Sequence, residues 1–197
     1  MGSDNNYVDS YVKLGDDIWK VSSNNNGILK MYLNGYINLG GAEVTKAYSN
    51  GNNKFDYYDW SSTAYYLMNA YYPSLSYKNL IVNNKYSTGE FSAEIGYYFT
   101  NIYNDSFEGP ISMLNLFDYV SNNELTDFYR NNTTSSIGDI QYVTYSNGLV
   151  EEADVRYTKH IVPVISIDSK IIKSGSGRID DPYVVEWRRW VRKEKRR

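Results

Sequence analysis

The chain has 197 residues, 42% of them apolar, with 22 Tyr, 4 Trp and 6 Phe, so it is long enough to bury a core and too aromatic to be disordered. It contains no Cys, which excludes disulfides, thiolate metal sites and a Cys nucleophile. Net charge is −3 but uneven: residues 186–197 hold seven Lys/Arg against two Glu, so the rest of the chain is acidic and not built to bind nucleic acid. Tyr beside Asn, Ser and Gly is the composition of recognition surfaces, and it is also what an AT-rich genome favours. No stretch approaches the length of a membrane-spanning helix, and no signal peptide is visible. Met1-Gly2-Ser3 reads as a tag remnant, so a leader or anchor upstream is left open.

Residues 1–10 are expected to be tag and frayed terminus. Tyr11–Leu14 and Ile18–Val21 read as strands around the turn Gly15-Asp16-Asp17. Asn24-Asn25-Asn26-Gly27 is a second turn, followed by a strand over Ile28–Leu33 that Asn34-Gly35 closes. The chain thus opens as a β-meander, with Trp19 as its expected core anchor. Residues 38–60 read as a loop ending in the aromatic cluster Phe55, Tyr57, Tyr58 and Trp60. Ser61 or Ser62 can N-cap a helix in which Ala64, Leu67, Met68 and Tyr71 share one apolar face, and Pro73 is expected to stop it.

Tyr77–Val82 is an apolar segment, Glu94–Phe99 a strand candidate, and Ile111–Leu114 another. Asn115 can cap a short helix carrying Leu116, Phe117, Tyr119 and Val120. Residues 121–139 are polar and read as a long surface loop, a kind of segment that tends to carry function. Tyr142–Tyr145 followed by Asn147-Gly148 signals a hairpin. Ile161–Ile167 (IVPVISI) reads as a buried strand, with Pro163 expected to place that end at an edge or bulge because it cannot donate to a ladder. Ser174–Gly177 turns the chain, and Tyr183–Val185 is a closing strand expected to pair with the chain's beginning.

Several segments in this order resemble one group of proteins: "IWKV…GILKMYLNG", "STAYYLMNAYYPSLSYKNLIV", "GPISMLNLFDYVSN" and "YVTYSNGLVEEADV…IVPVISIDSKIIKSGSGRIDDPYVV". They are similar to the C-type-lectin-like domains of surface and pilus-associated proteins of Gram-positive bacteria, fold relatives of the formylglycine-generating-enzyme family. The resemblance implies an α+β fold of the C-type-lectin-like kind: mainly antiparallel strands, two short helices, and N- and C-terminal strands paired. One such domain would cover residues 11–185, with 186–197 as a basic Trp-containing tail. Val162 stands where relatives often carry Arg, and Phe128-Tyr129 where a Trp often precedes the hairpin. The oxidase-type enzymes of this fold use Cys, and its calcium-dependent lectins use Glu-Pro-Asn or Gln-Pro-Asp with a downstream Trp-Asn-Asp; the chain has none of these. The resemblance therefore implies a binding role without calcium, cofactor or catalysis.

The chemistry-bearing residues agree with that reading. His160 is the only His, lies just before an apolar strand, and has no nucleophile-elbow motif to serve, so a structural role is expected. Zinc is not supported by one His without Cys. The pairs Asp16-Asp17, Glu151-Glu152 and Asp180-Asp181 offer oxygen ligands, but none has EF-hand spacing and two sit in turns where Asp is expected anyway. A lone Gly175-Ser176-Gly177 lacks the strand–helix context of a phosphate cradle. The expected ligand site is the aromatic, amide-rich region formed by Tyr119, Phe128, Tyr129, Arg130, Asn131, Tyr145 and Asn147, suited to a protein or glycan. Trp187, Arg188, Arg189 and Trp190 form a candidate tail interaction site for an anionic surface, the acidic body or a neighbouring subunit. Together these predict an extracellular or cell-surface adhesin or minor-pilin head. The alternative is a structural filament subunit that uses its aromatic patches for assembly, with pilus subunits as partners.

Overall fold

A computed structural model describes residues 7–48, 57–87, 106–115, 133–137, 140–144 and 150–186, with backbone alone at 87, 106–107, 133–137, 140–144 and 150–152. It opens as the sequence predicts. Strands β1 (Tyr11–Leu14), β2 (Asp17–Asn25) and β3 (Ile28–Leu33) form an antiparallel meander. The β2–β3 turn has Asn26 at φ 52° and Gly27 at φ 86°, the paired positive angles of a type I′ hairpin. Asn24 Oδ1 accepts the Gly27 N–H at 3.0 Å and closes it.

The next stretch, expected to be a loop, holds short pairings. β4 (Asn38–Leu39) pairs with β5 (Ala42–Glu43), and β6 (Thr45–Ala47) pairs with the later β13 (Thr158–His160). Helix α1 (Thr63–Tyr66) starts at Ser62, whose side chain accepts the Tyr65 N–H at 3.0 Å. It passes into a π turn, Leu67–Tyr71, and then α2 (Tyr72–Ser74). Ala64, Leu67 and Tyr71 are buried and Met68 packs at the core margin, as the spacing predicts. Pro73 does not stop the helix where expected; the helix runs one residue further. In the π turn the Tyr72 N–H reaches back to the Leu67 carbonyl, so Pro73 falls in the first turn of α2, where a missing N–H costs little. Replacing Ser62 with alanine should lower stability by about 1 kcal/mol, read as a shift in the denaturant midpoint with unchanged slope.

β7 (Asn84–Ser87) pairs with β8 (Ser106–Gly109), and β9 (Ile111–Met113) follows. β10 (Thr133–Ile137), β11 (Ile140–Thr144) and β12 (Val150–Asp154) form a three-stranded antiparallel sheet. The β11–β12 pairing is the hairpin signalled by Asn147-Gly148. The loop expected over 121–139 is corrected at Thr133–Ile137: the β-branched Thr133, Thr134 and Ile137 add a strand to the free edge of that hairpin. The helix expected after Asn115, and the strand expected over Glu94–Phe99, lie outside the described residues.

β14 (Pro163–Asp168), β15 (Ile172–Ser174) and β16 (Tyr183–Val185) complete a seven-stranded sheet in the order β15-β16-β1-β2-β3-β14-β9. All neighbours are antiparallel except β1 and β16, the two terminal strands, which are paired as expected but parallel. β14 as a whole lies inside the sheet, between β3 and β9, but Pro163 at its start is paired only with Met113 of β9, and the ladder to β3 begins one residue on, with Val164 opposite Tyr32. The register explains why this is tolerated. Pro163 faces Met113 as a non-hydrogen-bonded pair beside the Leu114 N–H donating to the Val162 carbonyl at 2.8 Å, so its missing N–H lies on the β3 side, where β3 ends at Leu33 and the Leu33 carbonyl accepts the Gly35 N–H at 2.9 Å instead.

The apolar alternation places Trp19, Val21, Leu29, Met31, Ile165, Ile167 and Ile111 on one face, in one core with Leu67 and Tyr71 of the helical segment and Leu75 and Tyr77 just after it. Each fully buried aliphatic side chain contributes roughly 1.5–3 kcal/mol relative to exposure. The opposite face is covered too: Lys20, Tyr32, Val164, Ser112 and Ser166 are buried. Ser166 Oγ there accepts from Asn84 Nδ2 at 2.8 Å and lies 3.2 Å from the Tyr86 hydroxyl, whose pKa burial pushes up to about 12. Burial on both faces is why the PVISI run is continuous rather than alternating. Among the described residues the architecture is therefore mainly antiparallel strands with one short helical segment and two 3₁₀ turns, Lys78–Leu80 and Ser169–Ile171, in the α+β class.

Candidate functional site

Antiparallel strands return every second turn to the same end of a sheet. The β1–β2 turn and the end of β3 meet there, and the chain after the helix folds over them. Between these three segments lies a cleft of about 500 Å³. Asp16, Asp17 and Ile18 form one wall, Leu33, Asn34, Tyr36, Asn38 and Leu39 a second, and Tyr71 with Ser74 to Tyr77 the third. Gly15 makes the close approach feasible: its φ is +61°, and a Cβ there would lie 3.3 Å from Ser76 Oγ and from the Tyr77 ring.

A buried polar chain fixes the cleft floor. Trp19 Nε1 donates to the Tyr77 hydroxyl at 3.2 Å, and that hydroxyl donates to Asp17 Oδ2. The Trp19 and Tyr77 rings meet edge-on, with centroids 6.3 Å apart and planes at 82°. Burial, the nearby Tyr71, and both the hydrogen bond to and the charge of Asp17 hold the Tyr77 phenol far above its ordinary pKa, with Trp19 opposing. Burial, then Asp17 and Tyr66, raise Tyr71 likewise, against a hydrogen bond with Tyr77. Both phenols are neutral at physiological pH, so the wall offers ring faces and hydroxyls rather than phenolate charge.

Tyr36 is backed by His160, whose ring stacks on it at 4.5 Å and 28°, while His160 Nε2 sits 3.1 Å from Glu43 Oε2. The single His thus supports a cleft wall, a structural task. The lining carries two carboxylates and no Lys, Arg or His side chain. Rigid aromatic and aliphatic walls with convergent amides, hydroxyls and carboxylates are the chemistry of orientation and recognition.

Replacing Tyr77 with phenylalanine should cost about 1–3 kcal/mol, because the buried indole N–H loses its acceptor and Asp17 loses its donor. Asp17→Asn keeps an acceptor for the Tyr77 hydroxyl and should cost less. Parallel urea titrations check this order, and equal losses would show that the chain from Trp19 to Asp17 is not cooperative.

The other sequence candidates divide clearly. Tyr119, Phe128, Tyr129, Arg130, Asn131, Tyr145 and Asn147 lie outside the described residues, as do Trp187, Arg188, Arg189 and Trp190. Asp180 is engaged by Arg178 at 3.0 and 3.1 Å, and Asp181 Oδ2 accepts the Ser176 N–H at 2.9 Å, so both serve their own turn. Glu151 and Glu152 lie on β12. Among the described residues no group of three or more His, Cys, Asp or Glu is arranged to hold a metal ion. Sequence reasoning placed Asp16, Asp17, Asn34 and Tyr71 individually but did not join them. The available signal was parity: the first and third turns of a meander share an end of the sheet.

No protein-family model matches the chain, and neither a curated protein nor a solved structure shows significant similarity to it.

Proposed function

We propose that the chain is a ligand-recognition domain that binds in the Asp16–Tyr36–Tyr77 cleft without transforming its ligand. The observation that carries this reading is the cleft itself, about 500 Å³, with walls prefixed by the Trp19–Tyr77–Asp17 chain and by His160 behind Tyr36. A preformed wall lowers the ordering cost of binding. In this reading the domain is C-type-lectin-like and acts at a cell surface, as an adhesin or minor-pilin head for a protein or glycan. Support for the lectin-like assignment comes from the ordered sequence resemblance, the paired terminal strands and the mainly antiparallel sheet. The test is a glycan and extracellular-matrix array probed with wild type and with Tyr36→Ala and Asp16→Asn variants. Binding that survives both changes would remove the cleft as the site.

One observation favours a second reading, a filament subunit. Tyr58 is 92% and Trp60 78% exposed, side by side before the helix, a pairing that suits a subunit contact. Electron microscopy and size-exclusion chromatography of wild type and Trp60→Ala would decide it; a strictly monomeric wild type at high concentration ends that reading.

A further inference from the structure

The second wall of the cleft is carried by an arm of the chain, Tyr36 to Glu43, that leaves β3 and doubles back as the β4–β5 hairpin. Tyr36, Asn38 and Leu39 of this arm line the cleft. The residues of both its strands are exposed, and Gly40 and Gly41 turn its tip with φ of +64° and +91°. Its root is fixed, since Ile37 is fully buried and its carbonyl accepts the Val44 N–H at 2.8 Å. On either side of that root the arm reaches back to one imidazole. The Tyr36 ring stacks on His160 with centroids 4.5 Å apart, and Glu43 Oε2 lies 3.1 Å from His160 Nε2. Thr45 of β6, the register partner of His160, shares its face of the ladder and carries no charge. Lys159 and Lys46, the neighbouring pair, project from the other face, where Lys46 Nζ lies 5.0 Å from the centre of the Tyr66 ring. Of the charges on β5, β6 and β13, Glu43 is therefore the one that meets the imidazole.

We infer that His160 is a pH-responsive clamp on this wall: protonation of its imidazole tightens the arm against β13. Histidine is the side chain whose charge changes between about pH 5 and 8. A neutral imidazole with its proton on Nε2 already donates to Glu43, so protonation creates neither contact; it adds charge to both. The hydrogen bond to Glu43 becomes an ion pair, and the ring on the Tyr36 face becomes a cation over a π system. The added hold is present below the imidazole titration and lost as pH rises through it. His160 and Glu43 are both partly exposed, so solvent keeps the effect to about two- to fivefold in the local opening equilibrium of the arm. The clamp is a property of the fold. Its consequence, tighter binding in the cleft under mildly acidic conditions because the wall is already ordered, rests on the reading of the cleft as a recognition site.

Amide hydrogen exchange on the full chain tests the clamp with no ligand present, so the clamp can fail while the recognition reading stands, and the reverse. The reporters are the Gly41 N–H, which donates to Asn38 Oδ1 at 2.9 Å, and the Val44 N–H at the root. The Gly27 N–H makes the same kind of contact in the β2–β3 turn, to Asn24 Oδ1 at 3.0 Å, and serves as the control. Protection is expressed relative to the unfolded chain at the same pH, which removes the intrinsic pH dependence of exchange. In wild type, protection at Gly41 and Val44 should be about two- to fivefold higher at about pH 5.5 than at about pH 7.5, with Gly27 unchanged. Glu43→Gln, at a half-exposed position where folding is not at stake, keeps an acceptor without its charge and should shrink the difference. His160→Phe keeps a ring against Tyr36, cannot titrate, and should abolish it. Equal protection at the two pH values in wild type would overturn the clamp. So would a difference that survives His160→Phe, which would move the response to other groups, Asp16 and Asp17 first. A matching rise at Gly27 would also overturn it, as a change in the whole fold rather than in this arm.

Discussion

Trp19→Ala is expected to remove about 3–5 kcal/mol of stability, the usual cost of emptying a large aromatic site. Domains of this size are stable by only about 5–15 kcal/mol, so the variant should melt roughly 10 °C or more below wild type. Three features of the site concentrate the loss. Trp19 is fully buried between Val12 of β1 and Leu33 of β3, so the cavity lies in the middle of the sheet's inner face. Its ring is the edge-on partner of Tyr77, which folds the post-helical segment over the sheet. Its indole N–H satisfies the Tyr77 hydroxyl, which in turn holds Asp17. Trp19→Phe keeps most of the apolar volume and loses the donor and part of the bicyclic ring, so a smaller loss of about 1–2 kcal/mol is expected. Thermal unfolding followed by circular dichroism measures both. A loss below about 1 kcal/mol for Trp19→Ala would mean that the site collapses around the smaller side chain and is not an anchor.

The elements read correctly from sequence are those whose signals are local. Gly15-Asp16 and Asn26-Gly27 supply turn chemistry, and the strands between them alternate with period two, so the meander and its inward Trp19 follow directly. Ser62 and the Ala64–Tyr71 spacing likewise contain the helix start and its buried face. What local signals do not contain is the partner of a strand far along the chain. Pro163 argues for an edge, and it has one locally: β3 stops at Leu33, whose carbonyl takes the Gly35 N–H, so a strand that is interior over the rest of its length needs no N–H from the proline. The same holds for Thr133–Ile137, which is polar and loop-like by composition and becomes a strand because the β11 edge offers it a ladder.

The candidate site was less legible for a related reason. Composition points to Tyr and Asn in the 117–147 region, and the residues singled out there lie outside the described residues. Asp16, Tyr36 and Tyr77 are separated by dozens of positions, and they converge only because a meander returns to the same end and a Pro-containing helix exit crosses over it. Asp16-Asp17 looked like an ordinary turn pair, which it is; its second role comes from Tyr77, whose hydroxyl takes Asp17 as acceptor. A titratable residue in a turn is therefore informative only once its cross-chain neighbour is known.

Gly175→Ala is expected to cost about 2–5 kcal/mol, combining left-handed backbone strain with overpacking. Gly175 has φ +96°, and an added Cβ would sit 2.3 Å from the Pro182 carbonyl oxygen and 2.9 Å from Tyr183 Cα. Both are backbone atoms, so no side-chain rotation relieves the clash and the two arms of the loop must separate. Those arms are joined by Ser176 and Gly177 N–H groups donating to the Asp181 carbonyl at 3.2 and 3.1 Å. Gly177 in turn accepts the Tyr11 N–H at 2.8 Å through its carbonyl, tying the loop to the start of β1. Opening the loop should therefore loosen β16 from β1 as well, and faster amide exchange at Val184 and Val185 would report it. Gly40→Ala is the control: its φ of +64° is also left-handed, but nothing lies within 4 Å of the added Cβ. Strain alone should then cost about 1–2 kcal/mol. Equal losses at the two positions would assign the Gly175 effect to conformation and leave the close approach to Pro182 without energetic weight. A larger loss at Gly175, with exchange quickened along β16, would instead show that this glycine fixes the parallel terminal pair.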